Sequence, residues 1–406
     1  MKKSDKKHIL VVSQYFYPEQ FRINDICEEW VKRGYMVTVV TGIPNYPQGQ
    51  FYEGYGLHKK RKETWNGIEI IRIPLVARGH NSIGLILNYM SFMITGFFWS
   101  HFTKVKADMV FNFETSPMTQ VKVGCWFAKR RHIPNYLYVQ DLWPENVEIV
   151  TGIHNPVIIK PIERMVKKIY KNCDYIFATS PSFVESICDM GAEKEKVYYW
   201  PQYAEEFYKP TDETDIHHIK SDDSFKMIFT GNIGYAQGLQ IIPKAAQIIK
   251  ENSINATLYI VGDGRYKKEL VREISEAGVE DVVNLIDRQP AENIPALLCG
   301  CDAAFVSFMD NELFEKTIPA KLQSYMACGM PIIAAASGET ERVVMEAACG
   351  MTCKIGDAKG LADCIESMAA KSIADRKTMS QNALTYCQKN FNKKHLMDVI
   401  DEYFGK

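Results

Sequence analysis

The stretch Phe229-Thr-Gly-Asn-Ile-Gly-Tyr-Ala-Gln-Gly238 follows a short apolar run and precedes residues with the apolar spacing of a helix. This order of strand, glycine turn and helix is typical of parallel sheets with crossover helices. Glycines let the backbone approach an anion closely, and a helix N-terminus presents free N–H groups to it. The stretch matches neither Gly-x-Gly-x-x-Gly nor a loop ending in Gly-Lys-Ser/Thr. A plain tight turn is one interpretation, and a diphosphate-binding turn is the one that we favour.

The same alternation extends along the chain on both sides of this stretch. It predicts an α/β fold with two doubly wound Rossmann-like domains facing a central cleft, where ligands of such sheets bind at the carboxyl ends of the strands. The predicted strands are 8–12, 36–41, 69–73, 109–113, 136–139, 175–178 and 197–199, then 226–230, 257–261, 282–285, 303–307 and 331–335. The predicted helices are 24–32, 82–102, 118–131, 160–171 and 182–190, then 239–250, 266–277, 320–328, 341–347, 361–370, 376–389 and 394–403.

The polar stretch 205–224 interrupts this periodicity and is predicted to be a linker. We therefore expect a first domain at 1–204 and a second at 225–390. The last helix, within 391–406, is expected to pack back onto the first domain.

Composition excludes several classes of protein. The chain has 406 residues, of which 46% are hydrophobic and 24% charged, so a disordered or collagen-like chain is excluded and two or three domains are expected. With 48 Lys and Arg against 49 Asp and Glu, bulk charge does not favour nucleic acid. Residues 1–200 hold 26 basic and 19 acidic residues (+7), which leaves 22 and 30 (−8) for the rest. One domain is therefore expected to face something anionic.

The eleven cysteines include no Cys-x-x-Cys pair. This spacing argues against a zinc site or a disulfide scaffold and favours buried thiols in a reducing compartment. The start of the chain has an apolar run too short for a signal peptide. We expect an intracellular protein.

Residues 79–103 contain no Asp, Glu, Lys or Arg and are long enough to span a membrane. A span is rejected, because the strands predicted before and after it belong to one sheet. Two interpretations stay open: a buried helix, or an interfacial helix that dips into a membrane. The basic clusters at 59–62 and 129–131 favour the second, since such clusters bind anionic headgroups.

Three further segments carry candidate site residues. Val261-Gly-Asp-Gly-Arg265 is a second glycine turn on the adjacent strand, with a cation beside it. Glu315–Pro331 places Lys321 in the first turn of a helix that follows Pro319, an unfavourable position for a cation unless an anion lies opposite. Ser337-Gly-Glu-Thr-Glu341 offers carboxylates for sugar or ribose hydroxyls, or only helix caps.

Four segments of the second half, in this order, resemble the donor-binding domain of retaining family-4 glycosyltransferases. They are Gly231-Asn-Ile-Gly-x-x-Gln-Gly, Val261-Gly-Asp-Gly, Ile318-Pro-Ala-Lys-Leu-Gln-Ser-Tyr-Met-Ala and Ser337-Gly-Glu. Four segments of the first half resemble the first domain of the same family. They are Tyr17-Pro-Glu, Lys32-Arg-Gly-Tyr-x-Val-Thr-Val, Pro44-Asn-Tyr-Pro-x-Gly and Gln140-Asp-Leu-Trp-Pro. The similarity is greatest to the N-acetylfucosamine transferase-like branch of bacterial surface-polysaccharide enzymes. The resemblance implies the GT-B fold, a nucleotide-sugar donor on the second domain, an acceptor on the first, and no required metal or other cofactor.

The chain departs from the family pattern at charged positions. Asn232 and Gln237 stand where many members have an Arg and a Lys, and Lys316 and Ser324 stand where the family has paired glutamates. Arg265 and Lys321 are the proposed replacements in neutralising phosphate, with Lys316 a weaker one.

The predicted donor-binding residues are Gly231, Asn232, Gly234, Gln237, Gly262, Gly264, Arg265, Lys321 and Glu341. The predicted catalytic residues are Lys321, Arg265, Asp141 and Glu339. Cations and N–H groups would stabilise the leaving diphosphate, Asp141 would orient donor sugar or acceptor (or only cap a helix), and Glu339 would bind sugar hydroxyls.

The expected reaction moves a sugar, N-acetylated amino or deoxyamino, from a UDP-sugar to a polyprenyl-diphosphate-linked saccharide at the cytosolic face of the inner membrane. The expected partners are therefore the donor, this acceptor and an anionic membrane surface, with no nucleic acid. A UDP-sugar 2-epimerase and a non-catalytic nucleotide-sugar-binding subunit are the alternatives.

Overall fold

The computed structural model describes residues 7–152, 154–212 and 218–405. The chain divides into two compact units, Met1–Trp200 and Pro201–Lys406. Residues 213–217 of the predicted linker lie outside the described residues. The predicted domain boundaries stay a prediction, as does the packing of the last helix on the first domain.

The first unit is built on an eight-stranded sheet with the order β3-β4-β2-β1-β5-β6-β7-β8. All neighbouring strands are parallel except β3, which runs antiparallel to β4 at the edge. The strands are β1 His8–Val12, β2 Met36–Thr41, β3 Lys62–Trp65, β4 Ile68–Arg72, β5 Met109–Glu114, β6 Asn135–Val139, β7 Tyr175–Ala178 and β8 Val197–Tyr199. The central strands are buried along their length, as expected where helices cover both faces.

The helices of the first unit are α1 Arg22–Lys32, α2 Ser82–Phe102, α3 Val121–Arg131, α4 Glu145–Thr151, α5 Pro156–Lys171 and α6 Pro181–Asp189. Helices α2 and α3 cover one face of the sheet, where Phe92, Val123 and Phe127 pack against strand residues such as Leu10 and Val110.

The second unit contains a six-stranded, entirely parallel sheet with the order β11-β10-β9-β12-β13-β14. The strands are β9 Phe225–Asn232, β10 Ala256–Asp263, β11 Val283–Ile286, β12 Ala303–Ser307, β13 Ile332–Ala335 and β14 Gly350–Cys353. The helices are α7 Ile242–Glu251, α8 Lys267–Ala277, α9 Ile294–Cys299, α10 Glu312–Glu315, α11 Ala320–Ala327, α12 Glu339–Glu346, α13 Ala358–Ala369, α14 Ile373–Asn390 and α15 Lys393–Gly405. One apolar core lies on each face of this sheet.

The predicted α/β class and the two Rossmann-like sheets are confirmed, and every predicted strand is present within two residues at each end. Strands β3 and β14 and helices α4, α9 and α10 were not predicted. The helix predicted at 239–250 after the first glycine turn is present, but its predicted start is wrong by three residues. Short 3-10 turns at Tyr235–Gln237 and Leu239–Ile241 lie on either side of Gly238, whose φ is 63°, and α7 begins at Ile242.

The interpretation of residues 79–103 as a buried helix is also wrong. Helix α2 is long and apolar enough to cross a membrane, yet only 17% of its most apolar stretch is buried. Strands β2, β4 and β5 belong to one sheet, which agrees with the rejection of a membrane span.

Candidate functional site

Two glycine turns lie side by side at the carboxyl edge of the second sheet. Strands β9 and β10 are paired to their last residues, with Gly231 opposite Gly262 and Asn232 opposite Asp263. A Cβ atom at Gly262 would lie 1.9 Å from the Gly231 carbonyl oxygen, and one at Gly264 would lie 2.3 Å from that of Ile233. Both glycines have φ values, 150° and 159°, that other residues rarely adopt. The sequence therefore lets two backbone segments approach closely, which leaves a glycine-lined edge.

The segment that follows β9 is held by backbone contacts. A Cβ atom at Gly238 would lie 2.2 Å from the Phe308 carbonyl oxygen, so this turn packs tightly on the end of β12. The Ser307 hydroxyl donates to the Gln237 carbonyl oxygen at 2.5 Å. Within the described residues, the N–H of Gly234 donates to no protein acceptor. A fixed, unused N–H group is therefore available at the turn.

Lys321 lies over the same turn. It is the second residue of α11, which begins after the N-cap residue Pro319, so its predicted place in the first helical turn is confirmed. Its Nζ donates to Gln237 Oε1, lies 4.1 Å from the centroid of the Phe229 ring, and would be 3.8 Å from a Cβ atom at Gly231. No carboxylate among the described residues pairs with it.

The electrostatics of Lys321 follow from this environment. Desolvation of its ammonium group, which disfavours the charged form, lowers the pKa of Lys321 to about 7. A neutral amide oxygen is its polar partner, so the positive charge is only partly compensated. An anion at the glycine-lined edge would compensate that charge.

The remaining predicted donor-binding residues lie along the same edge. Asn232 is exposed at the end of β9, and Arg265 is exposed directly after Gly264 in the turn from β10 to α8. Glu341 is exposed in the first turn of α12, where Thr352 Oγ1 donates to its Oε1 at 3.4 Å. The structure thus brings Gly231, Asn232, Gly234, Gln237, Gly262, Gly264 and Lys321 together through direct contacts. Within the described residues, no hydrogen bond or ion pair joins Arg265 or Glu341 to that group.

Glu339 begins α12, which follows β13 at the same sheet edge. It is 4% exposed, and its Oε2 accepts from Arg342 Nε and Nη2 at 2.9 and 2.6 Å. The preceding Gly338 has a φ of 64°, and a Cβ atom there would lie 2.1 Å from the Glu315 carbonyl oxygen. A tight turn and an arginine therefore fix the carboxylate.

Asp141 belongs to the first unit and follows the carboxyl end of β6. Its Oδ2 accepts from the Ser116 backbone N–H at 2.7 Å, and burial raises the pKa of its carboxyl group. Its own N–H donates at 3.2 Å to Glu114, which ends β5 and is fully buried. Burial, and then the charge of Asp141, raise the pKa of Glu114 well above its ordinary value. Glu114 was not predicted as a site residue, because a carboxylate at the end of an apolar strand carries no signal of its own.

A second missed carboxylate lies at the carboxyl edge of the first sheet. Glu19 is 2% exposed, and its Oε1 accepts from the backbone N–H groups of Asn45 and Tyr46 at 2.8 and 2.6 Å. Burial, opposed by these hydrogen bonds, raises its pKa to about 7. Stacked or tilted rings of Tyr15, Phe21 and Tyr46 lie around this loop. The motifs Tyr17-Pro-Glu and Pro44-Asn-Tyr-Pro contained the signal, since the structure joins them through Glu19.

No group of three or more His, Cys, Asp or Glu residues placed to hold a metal ion is found in the part of the chain that the structure describes.

Comparisons with known proteins agree with this geometry. Residues 211–385 match the family model of glycosyl transferases group 1. The Escherichia coli K12 protein named "Putative colanic acid biosynthesis glycosyl transferase WcaI" is 23% identical over 384 residues, which are 90% of each chain.

Solved structures show the same fold over nearly the whole length. Sucrose-phosphate synthase from Thermosynechococcus elongatus superposes with a TM-score of 0.78 and 16% identity, covering 98% of each chain. HepE of Anabaena, in complex with UDP and glucose, superposes with a TM-score of 0.70 and 16% identity, covering 98% of this chain and 99% of its own. The structural matches show the GT-B fold, and the family match over residues 211–385 supports a glycosyltransferase.

Proposed function

We propose that the protein is a retaining glycosyltransferase that moves a sugar from a UDP-sugar to a lipid-linked saccharide in the synthesis of a bacterial surface polysaccharide, such as an O-antigen or a capsule. The observation that carries this proposal is Lys321, a half-buried cation that lies against Phe229 beside two glycine turns and whose polar partner within the described residues is a neutral amide. Such a site suits the diphosphate of an activated sugar.

The reaction requires stabilisation of the charge that builds on the leaving diphosphate as the sugar–phosphate bond breaks. Preorganised cations and N–H groups aimed at that charge supply such stabilisation. In this proposal the Gly234 N–H and the Lys321 ammonium contact the diphosphate, and Arg265 reaches it from its exposed turn. A leaving phosphate oxygen takes the proton of the acceptor hydroxyl, since transfer with retention proceeds on the front face. No metal ion is needed in this scheme.

The donor is proposed to be a UDP-sugar, because HepE, which shares the fold, was solved with UDP and glucose. The transferred sugar is proposed to be an N-acetylated amino or deoxyamino sugar, on the resemblance to the N-acetylfucosamine transferase-like branch. The fixed Glu339 carboxylate would accept hydrogen bonds from sugar hydroxyls, and Glu341 those of the ribose.

The acceptor is proposed to bind the first unit. Its carboxyl-edge loops carry the carboxyls of Glu19 and Asp141 beside aromatic rings, which suit a saccharide. The excess of basic residues at 1–200 suits the diphosphate of a polyprenyl carrier, and we propose that the enzyme works at the cytosolic face of the inner membrane. WcaI, which is similar over most of its length, is named for colanic acid biosynthesis, and this supports a polysaccharide product.

Product analysis tests the proposal. The purified chain is incubated with radiolabelled UDP-sugars, with and without a polyprenyl-diphosphate saccharide, in the presence of EDTA. Label in the lipid fraction, with release of UDP, is expected. Conversion of the nucleotide sugar without an acceptor would instead indicate a 2-epimerase. Binding of donors without any turnover would indicate a non-catalytic subunit.

A further inference from the structure

Helix α2 exposes a continuous apolar face. Its side chains recur at spacings of three and four residues and are between 39% and 79% exposed. The members of this apolar face are Ile83, Ile86, Leu87, Met90, Ile94, Phe97, Phe98 and Phe102. No charged residue interrupts it along the 21 residues of the helix. A monomeric protein rarely leaves so long an apolar surface in water without a partner.

The opposite face of α2 is fixed to the first unit along its length. Asn88 accepts from Gln14 Nε2 at 2.7 Å and donates to the Val76 carbonyl oxygen at 2.6 Å. A Cβ atom at Gly96 would lie 2.3 Å from a methyl carbon of Val123 on α3. At the border of the apolar face, Phe97 contacts Trp126 of α3 edge to face, with ring centroids 5.1 Å apart. These contacts hold the helix on the first unit with its apolar face outward.

A cavity of about 590 Å³ lies where α2 ends and the chain turns towards β5. Trp99, Thr103 and the first residue of β1, His8, line it. Its charged lining consists of Arg61, Lys62, Arg72, Lys104 and Lys106, against the single carboxylate of Glu69. Arg72 is paired with Glu63, whereas Lys62, Lys104 and Lys106 have no ionic partner among the described residues.

Helix α3 adds further cations at the same end. It runs alongside α2 in the same direction, since Gly96 meets Val123 and Arg131 Nη2 donates to the Thr103 carbonyl oxygen at 2.7 Å. Its last turn carries Lys129 and Arg130, both exposed. The apolar face thus ends in a group of unpaired cations, and no acidic residue occurs between 70 and 107.

We infer that this surface docks on a lipid bilayer, with the apolar face of α2 in the interface and the cavity holding the phosphate of an anionic phospholipid headgroup. Apolar side chains with a basic flank are what an interfacial helix requires, and cations near a membrane surface are attracted by anionic lipids. The other end of α2 lies beside the loops of the proposed acceptor site, because Asn88 also donates to Asn45 at 3.3 Å. The docking itself does not depend on the proposed function. Only the purpose of the docking, which is to present a lipid-linked acceptor, rests on that function.

Vesicle sedimentation tests the inference on the full chain without any sugar. Vesicles of phosphatidylcholine alone are compared with vesicles that also contain about 30 mol% phosphatidylglycerol, because anionic lipids attract basic segments. We expect binding to the anionic vesicles. Lys104→Ala/Lys106→Ala should weaken this binding by about 10–30-fold, at about five-fold for each cation. Ile94→Ser/Phe98→Ser should abolish it.

Matched variants on the second unit separate this surface from general charge and apolarity. Lys244→Ala/Lys268→Ala removes two exposed lysines, and Val271→Ser/Ile373→Ser removes two exposed apolar side chains. Both should bind anionic vesicles like the wild type. UDP should still raise the melting temperature of all four variants, so a failure of docking is distinguishable from a failure of the proposed function.

Three results would overturn the inference. The first is binding that does not depend on phosphatidylglycerol or on the α2 variants. The second is a stable dimer by light scattering that Ile94→Ser/Phe98→Ser converts to a monomer, since a second copy would then cover the apolar face. The third is inorganic phosphate stabilising the wild type but not Lys104→Ala/Lys106→Ala in the absence of any vesicle binding.

Discussion

At the scale of single residues, Lys321 joins the fold to the proposed chemistry. A cation placed in the first turn of a helix opposes the helix dipole, and the partial burial of Lys321 beside Phe229 reduces its hydration. Both effects disfavour the charged form in the unliganded protein, and a bound diphosphate would reverse both. The residue is therefore poised to exchange a proton when an anion binds.

This property predicts a pH dependence of UDP binding. The pKa of Lys321 is about 7 in the free protein, and a bound diphosphate should raise it. Binding should then take up close to one proton at pH 8, and affinity should fall by up to about tenfold for each pH unit above 7. Calorimetry in buffers of different ionisation enthalpy measures the uptake. Lys321→Ala is the control and should show none, while uptake that persists in this variant would exclude Lys321 as its source.

Glu19 predicts a second pH effect, on stability. Its pKa is about 7 in the folded protein and about 4.5 when unfolded. Between these values the folded state binds more protons than the unfolded state, so the free energy of unfolding falls as pH rises from about 4.5 to 7. Glu19 should lower the free energy of unfolding by at most about 3 kcal/mol over this pH range.

Glu19→Gln, which keeps an oxygen for the Asn45 and Tyr46 N–H groups, should lose this part of the pH dependence. Urea denaturation of both proteins across pH 4.5 to 7 gives the difference. Parallel curves for wild type and variant would show that Glu19 titrates normally.

At the scale of elements, the paired ends of β9 and β10 create the glycine-lined edge. Gly262→Ala would force a Cβ atom to within 1.9 Å of the Gly231 carbonyl oxygen, so the two strand ends must separate. We expect UDP affinity to fall by more than about tenfold and stability by about 1–3 kcal/mol.

Gly278→Ala is the matched control for this substitution. Gly278 also has a positive φ, of 64°, but a Cβ atom there would meet nothing within 4 Å. The Gly278→Ala substitution should lower the free energy of unfolding by about 1 kcal/mol and leave UDP binding unchanged. Equal UDP affinities for the two variants, measured by calorimetry, would show that the close approach of Gly262 to Gly231 does not shape the site.

Some of the helices and strands could be predicted from the sequence, and others could not. Buried central strands such as β1 and β12 were predictable to the residue, because they are apolar runs bounded by turns. Strand β3, Lys-Glu-Thr-Trp, lacks an apolar run because it lies at the sheet edge, and β14 is only half-buried. The exposure of α2 could not be predicted, since an apolar helix has the same composition in a core or against a bilayer. The two glycine turns were recognisable, but the contact of Lys321 with Gln237 depends on residues 84 positions apart.

At the scale of the whole molecule, the two units carry net charges of opposite sign. The first 200 residues carry a net charge of +7, and the cations beside α2 belong to that half. The second unit carries the net negative charge, yet its site edge holds a cation that no carboxylate neutralises within the described residues. This arrangement suits a second unit that binds the donor at one cation and a first unit that contacts an anionic surface through many cations.

The most direct test of the account is titration calorimetry of UDP into the wild type, Lys321→Ala and Lys268→Ala at pH 7. Removing one charge-assisted contact to the diphosphate should cost about 1.5–3 kcal/mol, so Lys321→Ala should bind UDP about 10–150-fold more weakly. Lys268→Ala, which removes an exposed lysine of α8, should bind like the wild type. No uptake of UDP by the wild type, or equal affinity in Lys321→Ala, would contradict the claim that this sheet edge holds the diphosphate of an activated sugar.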